Sequence, residues 1–94
     1  MDFLALLKHS LYIDGNYEDE YLTFLLETSK EVVASSLDYE PQPTNNIYKQ
    51  AVILLAAHYY EARLATSETE LKAIPFGVNS LIQKLKGATQ NENI

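Results

Sequence analysis

His58 and Glu61 lie three residues apart in the stretch "AVILLAAHYYEARLA", residues 51–65, a spacing that puts an imidazole and a carboxylate on one side of a helix. Such a pair holds a metal only when further ligands converge on it, and no second cluster accompanies it. Short motifs specify weakly, so His58 is read as a hydrogen-bonded structural histidine at the edge of a core or an interface. His9 and Ser10 are neighbours, but a nucleophile and its base also need a converging third group and an oxyanion site. They are read as a helix end with a solvent-facing histidine. Seven tyrosines suggest a stacking platform for single-stranded nucleic acid. Tyr17, Tyr21, Tyr48 and Tyr59 fall on apolar stripes, however, and packing accounts for most of the set. No catalytic residue, metal or cofactor is expected, and the chain does not read as an enzyme.

The bulk numbers narrow the remaining functions. Thirteen acids against seven bases give a formal charge of -6, and the bases are scattered as Lys8, Lys30, Lys49, Arg63, Lys72, Lys84 and Lys86. No basic patch follows a phosphate backbone, which argues against tight nucleic-acid binding and leaves a surface that DNA slides past without sticking. The apolar run from Ala51 reaches roughly half of the ~20 residues that a membrane span needs before Glu61 and Arg63 interrupt it. "MDFLALLKHS" has an acid at Asp2 and no small-residue cleavage site, so it does not read as a secretory signal; a cytosolic setting without membrane contact is expected. With no cysteine there is neither a disulfide framework nor a thiolate zinc site. A chain of 94 residues leaves roughly a third or more of its unfolded-state surface exposed, so self-association that covers apolar area is favoured.

Between three prolines and three glycines the apolar residues recur at helical spacing rather than in alternation. The expected fold is all-α: a single small domain at residues 1–86, two long central helices plus short N- and C-terminal ones, then a flexible tail at 87–94. A first helix covers Asp2 to His9, and Asp14-Gly15 makes a turn. Asn16 is expected to cap the second helix, with Glu18, Asp19 and Glu20 at the positive end of its dipole. Tyr17, Tyr21, Phe24, Leu25 and Val32 form its apolar stripe, widened by Leu22, Leu26 and Val33. "DYEPQPTNN" cannot continue it, so it ends near residues 35–37. Thr44 or Asn45 caps a third helix that runs to about Ala65. Pro75 opens the last helix, where Val78, Leu81, Ile82 and Leu85 form a stripe and Lys84 and Lys86 occupy the final turn.

The third helix is apolar on three sides. At about 100° per residue, Ile47, Ala51, Leu54, His58, Ala62 and Ala65 share one stripe. Tyr48, Val52, Leu55 and Tyr59 share a second, and Ile53, Ala57, Tyr60 and Leu64 a third. A helix apolar all round is generally a buried one, and a four-helix chain this short is not expected to surround it. Some of that surface is expected to meet another subunit.

Three segments carry a family likeness. In "LKHSLYIDGNYEDEYL", Lys8, Leu11, Ile13, Asp14, Asp19 and Leu22 make a basic residue, a Leu-x-Ile-Asp step and an acidic helix start. In "IYKQAVILLAAHYYEAR", Ile47, Gln50 and Ala51 lead into a long apolar helix that ends in His58, Tyr59, Tyr60 and Glu61. In "IPFGVNSLIQKLK", Pro75, Phe76, Gly77 and Val78 precede Leu81 and Ile82. The chain resembles the small head-tail connector, or head-completion, proteins of tailed bacteriophages and prophages. The resemblance implies an all-helical structural subunit that joins a homo-oligomeric ring on the portal vertex, extends the DNA channel and docks the next connector or tail-completion protein. It implies assembly in the bacterial cytoplasm, residence in the virion neck, no enzymatic activity and no cofactor.

The interface candidates are accordingly Ile53, Leu55, Tyr59, Tyr60 and Leu64 on the third helix and Pro75, Phe76, Gly77 and Val78 at the start of the last. Two readings of the second group stand side by side. Either Phe76 fills a pocket of its own chain while Gly77 allows close backbone approach, or Phe76 is an anchor on a neighbour's surface. Glu68 and Glu70 are read first as a solvated loop and second as facing the channel or portal. The competing function is a small cytosolic regulatory module whose groove binds a partner helix.

Overall fold

The computed structural model describes residues 2–62 and 76–92, with side chains described up to Gly87. Among them are four helices: α1 (Phe3–Ser10), α2 (Asp19–Ser35), α3 (Asn46–Ala62) and α4 (Phe76–Glu92). The all-α expectation holds, since no described residue is in a strand.

Asp2 starts α1: its side chain accepts the amide proton of Ala5 at 2.8 Å, satisfying one of the donors a helix start leaves open. The end of α1 is a Schellman motif. The amide of Ile13 donates to the Lys8 carbonyl at 2.9 Å and that of Tyr12 to the His9 carbonyl at 3.3 Å, which requires a left-handed residue between them. That residue is Tyr12, at φ 59°.

Asn16 does not cap α2. The helix begins three residues later, and Glu18 at its N-cap makes no side-chain capping bond. Tertiary partners have taken the acids that would otherwise fold back on the amides. Lys8 Nζ of α1 holds Asp19 Oδ1 at 2.7 Å, and the Tyr60 hydroxyl of α3 donates to Glu18. The buried face of α2 is Leu22, Leu25, Leu26, Ser29 and Val33, the i, i+3, i+4, i+7 pattern of one stripe. Phe24 points about 160° away from Leu22 on the same wheel and is 62 % exposed, while Tyr17 precedes the helix and is 98 % exposed. Periodicity places both on the apolar stripe; the leucine side is the buried one because it faces α1 and α3. The hydroxyls of Ser35 and Ser36 close the helix by donating to the Val32 carbonyl at 2.9 and 3.0 Å.

Asn45 is the cap of α3. Its Oδ1 accepts from the amides of Ile47 at 2.8 Å and Tyr48 at 3.1 Å. Three elements then pack around α3, namely α1, α2 and α4. Tyr48, Ala51, Val52, Ile53, Leu55, Ala56 and Ala62 are buried against them. Thus the chain hides far more of this helix than a four-helix count suggests, because α2 and α4 take different sides of it and α1 fills the corner beside α2. Val78, Ile82 and Leu85 supply the buried stripe of α4, with Leu81 partly buried beside them. Tyr39, in the loop after α2, donates its hydroxyl to the Leu85 carbonyl at 3.1 Å, so the proline-containing connection is fastened to α4 as well. The last helix does not stop at residue 86. It continues to Glu92, through most of the stretch read as a tail, and Lys84 and Lys86 therefore lie in its middle rather than its final turn.

Candidate interaction surface

The part of α3 left open is a single strip. Asn46, Gln50, Leu54 and Glu61 are exposed along it, with Ala57 and His58 half-buried, all within about 120° of the helix wheel. Two clefts border the strip and share Leu54. One, of about 380 Å³, lies against α1 and is lined by Leu6, His9, Lys49 and Ile53 among others. The second, of about 270 Å³, lies against α4 between Ala57, His58, Glu61, Gly77 and Val78. Leu54 is the large apolar residue that the strip presents, at 37 % exposure.

A different surface lies at the corner between α1 and α2. Tyr12 is 94 % exposed and Tyr17 98 %, and the turn between them uses Gly15 at φ 83°. Ordinary residues avoid the left-handed region and glycine or asparagine is usual at this point of a Schellman motif. Tyr12 therefore sits in a strained backbone with its ring in solvent. The ion pair of Lys8 with Asp19 fixes the corner from below.

Tyrosines elsewhere are packed. Tyr48 is 7 % exposed and meets Phe3 edge-on at 6.1 Å between ring centroids, a favourable aromatic geometry. Burial pushes its hydroxyl above the usual 10.0, and the carboxylates of Glu40 and Glu27 push the same way. Burial alone raises Tyr59, whose ring lies 6.1 Å from that of His58. Phe3 also receives Lys30 Nζ at 4.4 Å from its centroid, a cation over an aromatic face.

The interface candidates divide. Leu55 and Val78 are fully buried and Ile53 is 7 % exposed, so these three serve the core of their own chain and offer little or nothing to another. Tyr59 and Tyr60 are half-buried. Gly77 is exposed, and a Cβ placed on it would meet Leu54 Cδ1 at an ordinary 4.0 Å; close approach of a backbone is not what requires glycine there. Phe76 opens α4, and for it the backbone alone is described. Leu64, Pro75, Glu68 and Glu70 lie outside the described residues. His58 and Glu61 do border the same cleft, but among the described residues no three His, Cys, Asp or Glu side chains come together as a metal site would need. His9 is exposed at the end of α1.

The most exposed aromatics among the described residues are Tyr12, Tyr17 and Phe24, and the periodicity assigned two of them to the core. At 100° per residue the stripe of residues 22, 25, 26, 29 and 33 spans as wide an arc as the one that contains Phe24, so spacing alone does not choose between them.

No helix among the described residues is long and apolar enough to cross a membrane. A family model described as phage gp6-like head-tail connector protein matches residues 1–86. Comparison with curated proteins and with solved structures gave no significant match.

Proposed function

The chain belongs to the phage gp6-like head-tail connector family, and from that premise we propose that it acts as one subunit of a homo-oligomeric ring on the portal vertex. The coarser role follows from membership itself: this is a structural connector protein of a phage, working among head and tail proteins at the head-tail interface. The family is a structural one. In the proposed ring the subunit extends the DNA channel and docks the next connector or tail-completion protein.

The observation that carries the reading is the match over 86 of 94 residues. Three aromatic side chains left largely in water support it, since buried aromatics concentrate binding energy at protein interfaces. The formal charge of -6 suits a duct whose cargo must pass without adhering. The helix-binding regulatory module fares worse. A helix docks through several anchors at i, i+3, i+4 and i+7 into an apolar groove, whereas the open strip of α3 presents one large apolar residue, Leu54.

Electron microscopy of the concentrated protein, alone and mixed with portal particles, tests the proposal. Rings on their own or seated on the portal are expected. A chain that stays monomeric in both preparations while holding a soluble partner tightly would overturn it.

A further inference from the structure

Resting on the ring reading above, we propose that the ring closes by pairing the outer face of α2 in one copy with the outer face of α4 in the next, with Phe24 as the anchor and Lys84 facing the α2 carboxylates. Both helices pack on α3, and among the described residues no comparable packing joins them to each other. They form the two flanks of a body that is thin in one direction, 46 × 31 × 17 Å. Each flank has a character of its own. On α2 the exposed residues Glu20, Phe24, Glu27 and Glu31 fall within about 60° of one another at 100° per residue, placing a ring that is 62 % exposed among three carboxylates. On α4, Ser80, Gln83 and Lys84 are exposed, and between Phe76 and Gly87 the helix carries Lys84 and Lys86 with no acid.

The charges choose the symmetry. A two-fold contact puts a patch against itself. Joining α2 to α2 would bring the three glutamates against their own copies, and joining α4 to α4 would bring lysine to lysine. Like charges at a contact are penalised and opposite ones set its register. The pairing that satisfies both flanks is α2 on α4, which is head-to-tail, and a head-to-tail contact repeated through a closing rotation makes a ring. The neutral side chains of Ser80 and Gln83 place no charge against the Phe24 ring, and the aliphatic stem of Lys84 can lie along it.

The test is a charge swap, read by sedimentation velocity and electron microscopy under whichever condition assembles the wild-type chain, alone or on portal-bearing heads, with circular dichroism confirming the fold. Glu31→Lys and Lys84→Glu are each expected to raise the concentration needed for assembly by roughly tenfold, the scale of one well-placed charge pair, and the two together to restore it; Glu31 is the choice because Glu27 already meets Lys30 Nζ at 3.4 Å. Phe24→Ala is expected to weaken assembly at least as much without loss of helicity. Because the chain has no cysteine, Phe24→Cys combined with Gln83→Cys gives an independent reading. Oxidation of the assembled double variant should yield a ladder of cross-linked multimers, and mixing the two single variants should yield dimers alone. Rings that form normally in Phe24→Ala and in both charge variants, with no cross-linked ladder, overturn the flank pairing and leave the ring reading standing. A wild-type chain that assembles under neither condition overturns the ring reading, and the pairing with it.

Discussion

Lys8 Nζ and Asp19 Oδ1 stand 2.7 Å apart, joining the last turn of α1 to the first turn of α2 across the bend that carries Tyr12, Gly15 and Tyr17. The two side chains keep 21 % and 37 % of their accessible surface, so water screens the pair and its coupling should be about 0.5–1 kcal/mol. Asp19 also faces the positive end of the α2 dipole, which adds a few tenths of a kcal/mol or more. Asp19→Asn is therefore expected to destabilise the chain more than Lys8→Met. A double-mutant cycle by urea denaturation measures the coupling, which should shrink as salt rises; a coupling near zero at low salt would show that the corner is held by the Schellman motif alone.

Ser29 offers the opposite case, a polar group whose removal should help. Its side chain is fully buried on the inner face of α2, and its Oγ has no hydrogen-bond partner. A buried hydroxyl without a partner costs on the order of 1–3 kcal/mol, and alanine is the better helix former by a few tenths. Ser29→Ala should raise stability by about 1 kcal/mol, visible as a higher midpoint in thermal melts. An unchanged or lower midpoint would mean that the hydroxyl finds a partner in solution.

Ser29 also marks where sequence periodicity ran out. In α4 one stripe of Val78, Leu81, Ile82 and Leu85 left a single choice of buried face, and the Asn45 cap was visible from one side chain's chemistry; α3, apolar on three sides, gave no such choice. Along α2 two apolar stripes overlap at Leu25. Choosing between them depends on where α1 and α3 lie, which is tertiary information; the stripe with Tyr17 and Phe24 looked equally good, and those two are its members left in water. The start of α2 was missed for the same reason, since nothing local says that Lys8 and Tyr60 will take the carboxylates of Asp19 and Glu18. The interface was sought partly on α3, where the chain's own helices cover Ile53 and Leu55.

Tyr12 occupies left-handed backbone at φ 59° with its ring 94 % exposed. A side chain in that conformation costs about 1 kcal/mol or more relative to glycine, and almost no packing is lost when the ring goes. Tyr12→Gly and Tyr12→Asn should both stabilise the isolated chain, glycine by less than the full amount because it also frees the unfolded chain. If the ring of Tyr12 anchors a neighbouring head or tail protein, the same variants should assemble less well while melting higher. A variant that melts lower would show that the tyrosine supports its own fold.

Neighbouring leucines on α3 should behave in opposite ways. Leu55 has no exposure, whereas Leu54 is 37 % exposed in the open strip. An unpaired carboxylate forced into the core costs several kcal/mol, enough to unfold a small domain. Leu55→Asp should therefore lose its helical circular dichroism, and Ile53→Asp, at 7 % exposure, should follow it. Leu54→Asp should keep its helicity. Equal loss in all three would mean that Leu54 is covered in solution by some other part of the chain.

Alkaline pH gives a test that needs no partner. Tyr48 is buried, and its hydroxyl is pushed above 10.0 first by that burial and then by Glu40 and Glu27; burial acts the same way on Tyr59. The unfolded chain loses these protons first as pH climbs past 10.0, so it binds fewer protons than the folded chain and stability must fall with rising pH. The contribution is complete below that value and is lost as pH rises through the raised folded-state values. Urea denaturation at pH values on either side of 10.0 should show the decline, and Tyr48→Phe should flatten it while leaving neutral-pH stability nearly unchanged. Ultraviolet titration of the folded protein gives the second readout, in which the Tyr48 and Tyr59 phenols ionise above the usual 10.0. If the Tyr48 and Tyr59 phenols ionise at the ordinary 10.0 while the fold persists, α3 is less tightly covered than its contacts with α1, α2 and α4 require.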